Sequence, residues 1–222
     1  MKAKAFALAG IVGSLALVGG ANADFDGVLV ELVDDNVDGL DTYRISVLFT
    51  DPTDILLAVG AIPGVGALSF TSDTDLFNDG GPFSGTKSED FAQSPIGNAR
   101  DSYVTIGAST FSPNDTDYSP GFAGSDGITN IIKGSSLSET DGGWFDSNPG
   151  TPTAGSSILI AQFTAASGWG GELTALANWQ PAGPEGFISS QFLVIINEGV
   201  PAPGALALLG LAGLAGTRRR RG

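Results

Sequence analysis

The chain has 222 residues, a formal net charge of −14, and neither cysteine nor histidine. Without those two residue types, a Ser-His-Asp triad, a Cys-His pair and a histidine-ligated zinc or iron site are excluded, and we expect no enzyme. Six of the ten bases lie in the terminal segments, so residues 24–199 hold four bases against all 24 acids, a formal charge of −20. So negative a surface argues against binding nucleic acid or anionic lipid.

Residues 1–23 have the three parts of a secretory signal peptide. Two lysines precede an apolar stretch at 5–20, and Ala21 and Ala23 place small residues at the two positions that signal peptidase recognises. The pattern predicts an apolar leader helix that is cleaved between Ala23 and Asp24. An uncleaved membrane helix is the alternative, but the apolar run is shorter than the roughly 20 residues that a span prefers.

The first motif after the leader resembles a calcium-binding loop. Asp34, Asn36 and Asp38 follow the order D-x-N-x-D-G, in which alternate oxygen-bearing side chains converge on the ion and Gly39 permits the turn. The complete loop needs an acid at its twelfth position, which is Ile45 here. An acidic β-hairpin turn is therefore favoured, because Asp-Gly is itself a strong turn dipeptide. Calcium is the one candidate cofactor.

The interior has the period-two alternation of half-buried strands, clearest in 43–49, where the odd positions are apolar. Further strands are predicted at 25–33, 55–59, 67–71, 102–107, 156–165, 172–179 and 187–197. Turn residues separate these segments, and no interior segment has a helical period with caps. The pattern predicts one all-β domain over 24–199, an antiparallel β-sandwich or jelly roll, with long loops at 72–102 and 109–153.

The interior residues suggest two other kinds of site, a glycan-binding surface and a glycosidase carboxylate pair. Trp179 continues an alternating strand pattern and is predicted in the core, whereas Trp144 and Trp169 lie among glycines, where exposed indoles would bind a glycan. A glycosidase needs two carboxylates about 5–10 Å apart, but 24 acids guarantee some such pairs by chance. Asp51-Pro52-Thr53-Asp54 is predicted as a turn with proline at its second position.

The C-terminal segment 200–222 has the organisation of a second targeting segment. An extended break, Val200-Pro201-Ala202-Pro203, precedes an uncharged Gly/Ala/Leu stretch at 204–216 and a closing cluster of Arg218, Arg219, Arg220 and Arg221. The positive-inside rule places the arginines in the cytoplasm and the interior outside, in agreement with an export signal. An ordinary membrane anchor has the same hydrophobic pattern.

The three-part tail resembles a PEP-CTERM sorting signal, although that family usually carries Glu between the prolines, where this chain has Ala202. The resemblance implies transient anchoring in the inner membrane by a short helix, recognition by an exosortase, and delivery to the envelope, cell surface or extracellular matrix. We therefore expect a structural surface or matrix protein, with signal peptidase and an exosortase as its processing partners. The alternatives are a calcium- or glycan-binding adhesion module, with extracellular polysaccharide as partner, and a carboxylate-dependent hydrolase.

Overall fold

The computed structural model of the protein describes residues 11–12, 25–77, 100–107, 115–119, 122, 134–148, 150–182 and 186–196. These residues form twelve β-strands and no helix. The strands are β1 Ile11–Val12, β2 Phe25–Val37, β3 Leu40–Phe49, β4 Ile55–Ala61, β5 Leu68–Leu76, β6 Tyr103–Val104, β7 Thr116–Tyr118, β8 Gly134–Glu139, β9 Gly142–Asp146, β10 Ser157–Ala166, β11 Gly171–Gln180 and β12 Ile188–Ile196. The all-β prediction is confirmed.

The strands form two antiparallel sheets. The first has the order β1-β2-β3-β10-β6, and the second has the order β7-β9-β4-β11-β5-β8 with β12 paired to β11. On the side of β11 away from β12, residues 176–180 pair with β4 and residues 171–174 pair with β5. Strands β4 and β5 therefore lie end to end along β11, and on their far side β9 pairs with β4 while β8 pairs with β5.

One apolar core lies between the two sheets. Along β3 the odd positions point inward, so that Tyr43, Ile45, Val47 and Phe49 are all buried. Phe49 meets Trp179 of the second sheet with ring centroids 5.2 Å apart. Phe70 of the second sheet likewise meets Phe163 of the first at 4.8 Å. Burying each such side chain removes apolar surface from water and stabilises the folded state by about 1.5–3 kcal/mol. Together these side chains hold the two sheets face to face.

The predicted loop at 109–153 contains three strands, β7, β8 and β9, so that prediction is wrong in part. The glycine-rich sequence of β9 is typical of a loop, but its glycines are what permits pairing with β4. A Cβ on Gly143 would lie 2.1 Å from the carbonyl oxygen of Val59, and one on Gly60 would lie 2.4 Å from that of Gly142. In this part of the sheet β4 and β9 approach too closely for any side chain.

The predicted terminal segments lie almost wholly outside the described residues. This applies to the signal-cleavage residues Ala21, Ala23 and Asp24 and to the whole sorting motif from Val200 onward. Within the predicted leader only β1 is described, where Ile11 and Val12 pair with Glu31 and Val30 on the outer edge of β2.

We predict that Gly143→Ala destabilises the protein by about 2 kcal/mol or more, because its methyl group would force two paired backbones apart. Urea unfolding followed by tryptophan fluorescence measures the loss. Gly186→Ala is the matched control, since a Cβ there meets nothing within 4 Å. Equal stability of the two variants would show that β4 and β9 are not in close contact.

Candidate functional site

The calcium-like motif forms the tip of the β2–β3 hairpin. Asp38 and Gly39 have positive φ angles of 57° and 80°, and Val37 pairs with Leu40 across them. Two consecutive left-handed residues between paired strands are the signature of a type I′ turn, for which Asp-Gly is a preferred sequence. Asn36 also has a positive φ, of 49°, where the strand register shifts between Asp34 and Val37. The motif is a bulged β-hairpin, as the turn interpretation predicts.

The carboxylate of Asp38 is paired with a cation from a distant part of the chain. Arg100 donates from Nη2 to Asp38 Oδ2 at 2.6 Å and from Nη1 to the carbonyl oxygen of Val37 at 2.8 Å. Asp34 meanwhile lies on β2 opposite Thr42. Over the residues that the structure describes, no three acidic side chains come together as a group that would hold a metal ion. The motif residues are therefore spread along a hairpin, at Asp34, Asn36 and Asp38. The charge of the Asp38 carboxylate at its tip is balanced by Arg100.

The central polar group of this region is a different residue of the same segment, Asp41. Its side chain is fully buried, and it accepts hydrogen bonds from the backbone N–H groups of Asn36 and Gly168 and from the hydroxyl of Ser167. Its carbonyl oxygen accepts a further bond from Nε1 of Trp169 at 3.2 Å. Since a buried charge is stable only when several donors replace its water, Asp41 fixes the β2–β3 hairpin to the turn between β10 and β11.

The sequence contains a signal for this role. Asp41 has the same phase as Tyr43, Ile45 and the other inward positions of β3, so strand alternation places an acid on the core side. An ionisable residue in a core position needs dedicated partners. The donors themselves come from residues 167–169, more than a hundred positions later, and short-range pattern does not reveal them.

The turn predicted at 51–54 is confirmed, and it contains a second buried carboxylate. The N–H of Asp54 bonds the carbonyl oxygen of Asp51 at 3.2 Å, which closes a turn with Pro52 at its second position. Hydrogen bonds from the Thr53 hydroxyl and then from its N–H lower the pKa of the Asp51 carboxyl. Asp54 is 1% exposed, and its Oδ1 accepts from the N–H of Ala182 at 3.1 Å.

The two most deeply buried carboxylates, Asp41 and Asp54, lie at opposite ends of the domain. Asp41 contacts residues just after β10, whereas the backbone carbonyl of Asp54 accepts from Gly155, just before β10. The ten residues of β10 separate these contacts, which corresponds to about 30 Å along a strand. A glycosidase pair lies within about 10 Å, so these two groups do not form one.

Trp144 and Trp169, whose exposure the sequence left open, are buried, and the core position predicted for Trp179 is confirmed. All three indoles are at most 1% exposed, and each N–H has a partner within the fold. Trp144 donates to the carbonyl of Thr105, Trp169 to that of Asp41, and Trp179 to the hydroxyl of Ser190. The glycines beside these tryptophans make room for close strand packing, and the indoles are not available to stack on a sugar.

A cavity between the sheets has a volume of about 20 Å³ and is lined mainly by apolar side chains, which include Phe70, Phe163 and Trp144. That volume is enough for about one water molecule. The cavity is a packing defect, too small for an organic ligand.

No family model, curated protein or solved structure matches the chain. The part of the chain that the structure describes contains no helix with the length and apolar character to cross a bilayer. The features that bear on function are therefore the contacts described above and the sequence patterns of the two terminal segments.

We predict that Asp41→Asn destabilises the protein by about 2 kcal/mol, because the amide presents a donor to N–H and hydroxyl groups that need an acceptor. Chemical unfolding measures the change. Asp75→Asn is the control, since Asp75 is an exposed acid on β5 and its substitution should stay within about 0.5 kcal/mol. A loss at Asp41 as small as the control's would contradict the structural role assigned to this carboxylate.

We also predict that calcium does not stabilise the protein. Ligand binding to the folded state alone must raise the melting temperature, but the Asp38 carboxylate is already neutralised by Arg100. Melting curves in EDTA, in millimolar calcium and in millimolar magnesium should therefore coincide. A rise with calcium alone, lost in the Asp34→Asn variant, would restore the motif as a calcium site.

Proposed function

We propose that the protein is an exported surface or extracellular-matrix protein of bacteria, with a structural β-sandwich domain between two processing signals. The observation that carries the proposal is that eleven of the twelve strands in the described residues lie between those signals. The exception is the two-residue edge strand β1 in the leader, which cleavage would remove. Strand β2 begins at Phe25, directly after the predicted cut before Asp24, and β12 ends at Ile196, shortly before Val200. The core can thus form from residues 24–199 after both signals have acted.

The chemistry of the domain supports a structural role. Acids at the ends of strands and turns accept hydrogen bonds from the backbone: Asp146, the last residue of β9, accepts from the N–H groups of Asn148 and Thr153, both at 2.9 Å, and Asp73 on β5 accepts from the N–H of Gly170 in the turn between β10 and β11 at 3.0 Å. Polar side chains used in this way shape turns, as Asx motifs do. Of the groups considered for calcium or sugar, Asp38 pairs with Arg100, and the three indole N–H groups have acceptors within the fold.

The tail supports the sorting half of the proposal. Segment 204–216 spans about 20 Å as a helix, short for a bilayer core of about 30 Å. The long arginine side chains at 218–221 reach the interface and extend the effective span. Such a marginal anchor suits transient insertion followed by cleavage near Val200-Pro201-Ala202-Pro203 by an exosortase.

We predict two cleavages when the full chain is expressed in a bacterium that has an exosortase. The product should begin at Asp24, lack the arginine cluster, and leave the inner membrane. In a matched strain without the exosortase, the product should also begin at Asp24 but keep its tail and stay in the membrane. Intact-mass measurement of fractionated cells distinguishes these species.

Two variants serve as controls for leader recognition. Ala23→Arg should block the first cleavage, because the peptidase accepts only a small residue there, whereas Asn22→Gln at the neighbouring position should be processed normally. A product that keeps Met1 and remains in the cytoplasm would overturn export. A tailed, membrane-bound product in both strains would overturn sorting and leave an ordinary anchor.

A further inference from the structure

Strand β2 is fixed in the core immediately after the predicted cleavage point. Phe25, the second residue after the bond before Asp24, is 5% exposed and pairs with Phe49 of β3. Its ring packs edge-on against that of Phe49, with the centroids 6.2 Å apart. Val28 and Val30 of the same strand are also buried. The chain on the C-terminal side of the predicted cut is therefore held in the first sheet.

The leader is attached to the same strand. Ile11 and Val12 belong to the apolar stretch at 5–20 and form β1, which pairs antiparallel with Glu31 and Val30. In a bilayer an isolated apolar segment satisfies its backbone groups only as a helix. Backbone groups of β1 bond to β2 instead, so the folded domain holds part of the leader in a conformation that is unsuited to a membrane.

We propose that the folded domain protects its own leader from cleavage, so that signal peptidase must act before the first sheet forms. The inference rests on the proposed leader cleavage and adds the order of the two events. A protease needs chain that is accessible and extended, so a backbone that is buried and paired must first open locally. A cut before Asp24 requires release of the segment around Phe25, and release of the apolar stretch requires the loss of β1 from the sheet.

The contacts that oppose this opening differ on the two sides of the predicted cut. On the leader side β1 has only two residues. On the other side β2 pairs with β3 without a register shift from Gly27 to Leu32, and Phe49 also packs against Trp179 of the second sheet, with ring centroids 5.2 Å apart. Releasing the start of β2 therefore uncovers the edge of the core. When opening is fast relative to cleavage, the cleavage rate follows the population of the open form, which these contacts keep small.

The test measures cleavage of the full chain by purified signal peptidase in mild detergent. Phe49→Asp places an unpaired charge in the core and should unfold the chain, with the leader and the cleavage site unchanged. Val47→Asp, at a fully buried position of the same strand, is a second such variant. Val65→Asp adds the same charge at a 59% exposed site and should stay folded. We expect the wild type and Val65→Asp to be cut at the same slow rate, and the unfolded variants about tenfold faster or more.

The outcomes separate this inference from the proposed function. Tryptophan fluorescence verifies which variants are folded. Equal cleavage rates for folded and unfolded proteins would overturn the inference and leave the leader cleavage intact. If the unfolded variants are not cut at all, the leader is not a substrate of the peptidase, and the proposed export is overturned together with the inference.

Hydrogen exchange tests the contribution of β1. The full chain, folded in the same detergent, is compared with the processed product from exporting cells that lack the exosortase, so that both species keep the tail. We expect the peptide that contains Val30 and Glu31 to exchange more slowly in the full chain, because β1 covers the outer edge of β2 there. Exchange over residues 173–177 of β11, in the second sheet, should be the same in both. Equal exchange at Val30 and Glu31 would overturn the attachment of the leader to β2.

Discussion

The two sheets are joined through a turn that one buried carboxylate holds in place. Strand β10 belongs to the first sheet and β11 to the second, so the residues between them must reverse the chain and change layer within a few positions. Asp41 supplies the acceptors for the donors of Ser167 and Gly168, and Trp169 follows at once into the core against Tyr43, with ring centroids 5.5 Å apart. The polar contact and the aromatic contact fix the same turn, which sets how the sheets face each other.

How far the sequence predicts this fold depends on where each strand finds its partners. Strands β2, β3, β10, β11 and β12 have strong alternation because one face packs on the core, and their positions follow from period alone. Strands β8 and β9 are rich in Gly and Ser and lack strong alternation, and the pairing of β9 with β4 depends on a close backbone approach that no local pattern encodes. The burial of Trp144 is hidden for the same reason, since the carbonyl that accepts its N–H is 39 residues earlier, at Thr105.

In the candidate site, too, local features were predictable from the sequence and long-range contacts were not. The Asp-Gly turn was predictable because type I′ geometry is a local property of two residues. Its pairing with Arg100 was not, because that contact joins positions 62 residues apart. Strand alternation places Asp41 on the core side of β3, but it does not identify the groups that donate hydrogen bonds to it. The sequence analysis singled out Asp34, Asn36 and Asp38, and the fold showed instead that Asp41 of the same segment is the buried acid, with donors from the protein's own backbone and side chains.

These internal hydrogen bonds also help to explain how a domain with so many acids remains folded. Net charge far from zero destabilises a compact state by self-repulsion. Here several carboxylates accept hydrogen bonds from donors within the fold: Asp41 in the interior, Asp73 on β5, and Asp146 at the end of β9. Each of these hydrogen bonds stabilises the segment that supplies the donor, which offsets part of the carboxylate's repulsion with the other acids.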